Sequence, residues 1–138
     1  MTNYRNTVLQ YSSMICDSTR NDFFRRALLE TARDKVVMDV GSGTGILSFY
    51  ALEAGARFVY AIDLQKESAE VTDKILSSHF PRERFKVLHM DCWGSKMNKQ
   101  RFDKDIDVLV SETVGPGLFD QGWFHTLHSL KPLLSFDG

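Results

Sequence analysis

The stretch SETVGPGLFDQG, residues 111–122, carries a carboxylate, Glu112, out of an apolar run and into a loop broken by glycine and proline. A loop of this kind can hold a cation between two acids. Nine residues beyond Glu112, where a second carboxylate would face the first, the chain has Gln121, with Asp120 one step short. Three further acids close apolar runs upstream: Asp39 in "KVVMDV", Asp63 in "RFVYAID" and Asp91 in "RFKVLHMD".

Between the first and second of these runs lies "GSGTG", in which Gly41, Gly43 and Gly45 alternate with Ser42 and Thr44. Backbone amides in such a loop can approach a ligand closely. The spacing is GxGxG and not the GxGxxG of a dinucleotide fingerprint, which favours a nucleoside ligand without phosphates. Asp39 could bind the ammonium group of that ligand, directly or through water. Asp63 could accept hydrogen bonds from both hydroxyls of a ribose, and it could equally cap a helix that starts at 65. Asp91 could take an adenine amino hydrogen while Cys92 offers its backbone amide to the ring, or it could simply make a turn. Arg20, in "DSTRN", could fold over the site and pair with a ligand carboxylate, or stand at the surface.

These residues need a scaffold, and the periodicity supplies one. Residues 18–33 place Phe23, Ala27, Leu28 and Thr31 at helical spacing behind a polar start. Strands are expected over 35–40, 57–63, 84–91 and 105–112, and helices over 46–56, 65–80 and 121–131. Such alternation is the rhythm of an open parallel α/β sheet, whose ligands bind beyond the carboxyl ends of the strands. Each of the four expected strands ends in an acid at that edge. The final segment, LKPLLSFDG, should lead into a fifth strand. A sheet that stopped at its fourth strand would leave an apolar edge unpaired, so the chain reads as a fragment or a shortened product.

The 138 residues are one domain's worth, with 17 basic and 18 acidic side chains nearly cancelling. That balance gives no global field towards nucleic acid or a membrane surface. No apolar run reaches the roughly 20 residues of a spanning helix, and the N-terminus lacks a signal-peptide pattern. Two isolated cysteines, Cys16 and Cys92, fit a reducing cytoplasmic or nuclear setting. His125 and His128 stand three apart without a third ligand in view, so no metal is expected. The basic stretch from Lys96 to Lys104 reads as a solvated loop. Trp123, Phe124 and Leu127 read as packing surface or as contacts to a partner.

Taken together, strand, GxGxG, an acid on the second strand and Asp after the third resemble class I S-adenosylmethionine-dependent methyltransferases. "MICDSTRNDFF" (14–24), "VMDVGSGTGILSFYALEAGA" (37–56), "VYAID" (59–63) and "VLVSETVGPGLFDQG" (108–122) resemble, more narrowly, protein arginine methyltransferases, along nearly the whole chain. "SETVGPGLF" and Gly122 are similar to the branch that monomethylates or symmetrically dimethylates, the seventh and ninth mammalian members.

The resemblance implies a Rossmann-like fold with an N-terminal helical cap over 1–33 and a partial S-adenosylmethionine-binding domain over 34–138. The sheet would be truncated after the fourth strand and its helix, without the family's β-barrel. It implies S-adenosylmethionine as cofactor, held by Arg20, Asp39, Gly41, Ser42, Gly43, Thr44, Gly45, Asp63, Leu64, Asp91, Cys92 and Glu112. It implies methyl transfer to arginine in protein partners, Arg-Gly-rich or histone, with dimer or tandem pairing only in a full-length form and action in cytoplasm or nucleus. The family's two loop glutamates fall on Glu112 and Gln121. Glutamine accepts a hydrogen bond but brings no counter-charge and no base. Asp120 is charged, yet neighbours at a helix start point about 100° apart and its side chain is shorter. Impaired turnover, or a module that only binds cofactor, is therefore the competing expectation. A nicotinamide-dependent enzyme is a third, disfavoured by the glycine spacing, Asp39 and the loop after Glu112.

Overall fold

Short β-branched runs bounded by glycine and charged residues form four parallel strands: β1 (Val36–Val40), β2 (Phe58–Asp63), β3 (Phe85–His89) and β4 (Val108–Ser111). They lie in the order β3-β2-β1-β4. The computed structural model describes residues 11–92, 101–112 and 128–134. Three helices connect or precede the strands: α1 (Ser18–Thr31), α2 (Ile46–Glu53) and α3 (Lys66–His79). Residues 11–16 are also helical.

Every residue of β1 and β2 is buried, as expected of strands covered on both faces. The alternation along them separates two cores. Val37 and Val59 pack with Leu28 of α1, Leu47 and Ala51 of α2 and Leu76 of α3. Val36, Met38, Val40, Tyr60 and Ile62 face the other way, onto Phe102, Ile106, Leu130 and Leu133. Asp39 is the one charged side chain in fully buried β1, on the same face as Val37, where Ser48 of α2 hydrogen-bonds its carboxylate.

Local chemistry sets the element ends. Asp17 caps α1 by accepting from the Arg20 backbone N–H at 3.0 Å. Gly55, at φ 92°, stops α2 near Glu53, short of the expected residue 56. Extended Phe80 before Pro81 ends α3. Residues 128–130 are helical, and the rest of the helix expected over 121–131 up to 127 lies outside the described residues. Leu134, within the segment expected to lead into a fifth strand, forms an isolated parallel bridge with Ile106, just ahead of β4.

The acids do not all end their strands, which corrects the simple pattern. Asp63 is the last residue of β2. Asp39 precedes Val40, the last residue of β1, and is wholly buried. Glu112 lies one residue beyond β4, and Asp91 two beyond β3. Val40 pairs with Ile62 and with Ser111, so Asp63, Gly41 and Glu112 stand at one level, with Asp39 a rung deeper.

Candidate functional site

The strand order reverses between β1 and β4: from β1 the chain runs outward to β2 and β3, then returns to the other side of β1. Ligands of open parallel sheets occupy that switch point, and here it is flanked by Gly41 after β1 and Glu112 after β4.

The glycine loop is built by its hydrogen bonds. Gly41 and Ser42 donate their backbone N–H groups to Ile62 O at 2.9 and 3.0 Å, and Gly45 N–H closes a turn onto Ser42 O at 2.7 Å. Gly43 N–H donates to Asp63 Oδ2 at 2.8 Å. The Thr72 hydroxyl, from the buried side of α3, donates to Gly43 O at 3.0 Å. Gly45 sits at φ 81°, and a Cβ there would lie 2.8 Å from Thr72 Cγ2. Gly45→Ala should therefore lower stability by about 1–3 kcal/mol through backbone strain and this clash, read as a lower urea midpoint at unchanged m-value.

Asp63 is buried and doubly engaged, since its Oδ1 accepts from Gln65 N–H at 2.8 Å. It ties the glycine loop to the start of α3. Each carboxylate oxygen keeps a further lone pair for a ligand hydroxyl, so the capping and ribose readings are compatible.

Asp39 is held by Ser48, which donates its backbone N–H (3.0 Å) and its hydroxyl (2.6 Å) to Oδ2. Among the described residues Oδ1 has no partner although it is buried. Burial pushes the Asp39 carboxyl up to about 6, opposed by the two Ser48 hydrogen bonds. The buried Ser42 hydroxyl and Arg20 Nε are likewise without partners among the described residues. An acceptor, a hydroxyl and a cationic donor left unmet beside one loop are what a ligand bearing both ammonium and carboxylate would satisfy. Those residues fit S-adenosylmethionine.

Arg20 does come over the site, and its partner is protein. Its guanidinium makes an ion pair with the Glu112 carboxylate, with side-chain exposures of 13% and 27%. Nη1 donates to Asn21 Oδ1 at 2.7 Å, Asn21 in turn donates to Ile15 O at 2.8 Å, and the Phe24 ring lies 5.3 Å from Cζ. Burial lowers the guanidinium pKa, opposed chiefly by Asp17 and also by Asp39.

On the β3 side, Met90 N–H donates to Asp63 O at 3.0 Å, which brings Asp91 and Cys92 towards the same edge. Cys92 is buried in the second core, and burial, with Asp91 and Asp63 nearby, pushes its thiol up to about 12. An inert thiol leaves its backbone as the part able to serve a ligand. Leu64 stands 64% exposed beside Asp63, and Thr44 is half-buried in the loop. Gln121 and Asp120 lie outside the described residues.

Four residues at the site escaped the sequence reading: Ser48, Thr72, Tyr11 and Ser68. Ser48 and Thr72 sit on inward helix faces, and a polar residue between Ala69 and Leu76 was the available signal. The Tyr11 ring lies where a Cβ on Gly43 would come within 2.9 Å, and its hydroxyl is 3.1 Å from Ser68 Oγ. Nothing local in the sequence announces that contact. Among the described residues, no group of three or more His, Cys, Asp or Glu could hold a metal ion, and no helix is long and apolar enough to cross a membrane.

Sheet order, glycine loop and switch-point acids define a Rossmann-like methyltransferase of class I. Residues 26–115 match the family model for ribosomal protein L11 methyltransferase (PrmA). The chain is 37% identical over 124 residues to Protein arginine N-methyltransferase 9 of Xenopus laevis, an alignment covering 88% of this chain and 15% of that protein. It is 34% identical over 126 residues to Histone-arginine methyltransferase CARMER of Drosophila mojavensis, covering 88% and 22%. Among solved structures, Arabidopsis thaliana protein arginine methyltransferase 10 superposes with a TM-score of 0.80 at 26% identity, covering 93% of this chain and 36% of that one. The Trypanosoma brucei PRMT1 enzyme–prozyme complex with AdoHcy gives 0.78 at 28% identity, covering 90% and 38%. The chain belongs to the methyltransferase family of that model, and over 88% of its length it is similar to protein arginine N-methyltransferases. It spans less than a quarter of the length of these two curated relatives.

Proposed function

We propose that this chain is the cofactor-binding part of a protein arginine N-methyltransferase, which uses S-adenosylmethionine to methylate guanidinium nitrogens of protein substrates. The observation that carries the reading is the acid-lined switch point, where Asp39 keeps an unmet buried oxygen and Glu112 already engages a guanidinium. S-adenosylmethionine supplies a sulfonium methyl group for in-line displacement. Its ammonium falls to Asp39, its carboxylate to Arg20, its ribose hydroxyls to Asp63, and its adenine to Asp91 and the Cys92 backbone. The loop from Gly41 to Gly45 and Leu64 line the remainder, with residues 1–33 as the cap and 34–138 as the domain beneath.

Glu112 does the work on the substrate. An arginine guanidinium stays charged throughout the physiological range. A carboxylate gripping it by fork geometry orients one nitrogen and draws positive charge away from that nitrogen. Gln121 takes the position of the family's second glutamate and Asp120 stands next to it. The finer reading, towards the monomethylating or symmetrically dimethylating branch, rests on "SETVGPGLF", Gly122 and the likeness to Protein arginine N-methyltransferase 9. Substrates are Arg-Gly-rich or histone segments, consistent with the histone-arginine name of CARMER. Action in nucleus or cytoplasm follows from such substrates, and dimer or tandem pairing belongs to a full-length form.

Calorimetric titration of this chain with S-adenosylmethionine, with Asp63→Ala alongside, tests the cofactor reading. Binding in the parent and at least a tenfold loss in the variant is expected, and a folded parent that does not bind sinks the reading. The second reading, a module with impaired turnover, is favoured by Gln121. In a chain extended with the substrate-side half, Gln121→Glu should raise methylation of an Arg-Gly-rich peptide about a hundredfold, the scale of a single charge-stabilising group. An unchanged rate would show that the missing charge is not limiting.

A further inference from the structure

The cation and the anion that this site offers to its two ligands are paired with each other. Arg20 comes from α1 and Glu112 from the end of β4, and the ion pair bridges the switch point. The guanidinium is anchored independently of Glu112, by Asn21 on one side and Phe24 beneath. Its Nε is buried and unpartnered among the described residues, so it can receive another acceptor without moving away. Glu112, more exposed at 27%, is the freer partner.

Building on the cofactor and substrate reading above, we propose that the Arg20–Glu112 ion pair couples the two sites, so that cofactor carboxylate and substrate guanidinium each favour the binding of the other. Stranded charge supplies the coupling. A ligand carboxylate arriving at Arg20 meets the Glu112 charge, whether Glu112 is displaced or stays beside it. If displaced, Glu112 is left partly buried without a counter-ion, and removing one partner of such a pair is costly. If it stays, two carboxylates crowd one guanidinium. A substrate guanidinium on Glu112 removes the penalty in both cases. By the same token a guanidinium arriving first strands Arg20. Each ligand alone binds against a penalty, and the two together do not, which is reciprocal coupling in the thermodynamic sense. Paired with each other, neither charge stands bare.

The test is a double-mutant cycle by calorimetry on this chain, with two nucleosides as probes. S-adenosylhomocysteine carries the amino-acid carboxylate, and 5′-methylthioadenosine lacks it. Glu112→Gln should tighten S-adenosylhomocysteine about tenfold, within the usual range of coupling between sites, and leave 5′-methylthioadenosine unchanged. On an Arg20→Ala background the same substitution should have no effect on either nucleoside. Glu112→Ala carries the same expectation and replaces Glu112→Gln should that variant fail to fold. An unchanged or weakened S-adenosylhomocysteine affinity in the Glu112 variants overturns the coupling while leaving the cofactor reading intact. Equal tightening of both nucleosides overturns it too, because a general loosening of the site would then suffice. If the parent binds neither nucleoside, the cofactor reading itself falls, and the coupling with it.

Discussion

Glu112→Gln, in a chain extended to carry the substrate-side half, should lower methylation of an arginine peptide by about 10²–10³-fold. The figure is what loss of one positioned charge-stabilising group costs elsewhere. Glutamine preserves size and one acceptor, so the substitution isolates charge. The ion pair with Arg20 adds a signature: cofactor affinity should rise while turnover collapses, a split that simple unfolding cannot produce. Steady-state kinetics beside a circular dichroism melt would check it. Turnover within threefold of the parent would remove Glu112 from the chemistry and return the guanidinium-holding role to other residues of the loop.

The second large effect concerns Asp39 and pH. Burial holds its carboxyl up at about 6, well above the ordinary carboxylate range. The folded chain therefore binds this proton more tightly than the unfolded chain. Its contribution to stability is fully present below the unfolded value, near 4, and is lost as pH rises through 6. At 1.36 kcal/mol per pH unit, the loss is roughly 3 kcal/mol by pH 7. Asp39→Asn keeps an acceptor for the Ser48 N–H and hydroxyl, exchanges one unpartnered buried group for another, and removes the titration. The variant should gain up to about 3 kcal/mol over the parent at pH 7 and little or nothing at pH 4, by urea unfolding at both values. Stability differences that do not change with pH would mean that Asp39 is not the titrating group. The same variant should bind S-adenosylmethionine poorly, because the ligand's ammonium would lose its counter-charge. Stability set aside in the ligand-free chain is thus recovered when the cation arrives.

Much of this was legible in the sequence, for local reasons. Strand and helix order follows from the spacing of apolar residues and from glycine and proline at the breaks. The loop at 41–45 announces itself because only glycine takes its left-handed turns without strain. That acids gather at the carboxyl edge also follows, since parallel strands run their ends to one side.

Their division of labour does not follow. Asp39, Asp63, Asp91 and Glu112 look alike on paper, yet Asp63 spends itself on two backbone amides and Asp39 retains an unmet oxygen. The difference depends on where α2 and α3 dock, which places Ser48 against one acid and the Gly43 and Gln65 amides against the other. Arg20 shows the same limit: its type and position suggested a ligand carboxylate, and in the fold its guanidinium pairs with Glu112. Sequence by itself determined which charges this protein owns and which edge of the sheet they reach, because strand polarity and turn chemistry are local. Only the tertiary structure decided which of those charges are already satisfied by each other, because pairing depends on distances between elements far apart along the chain.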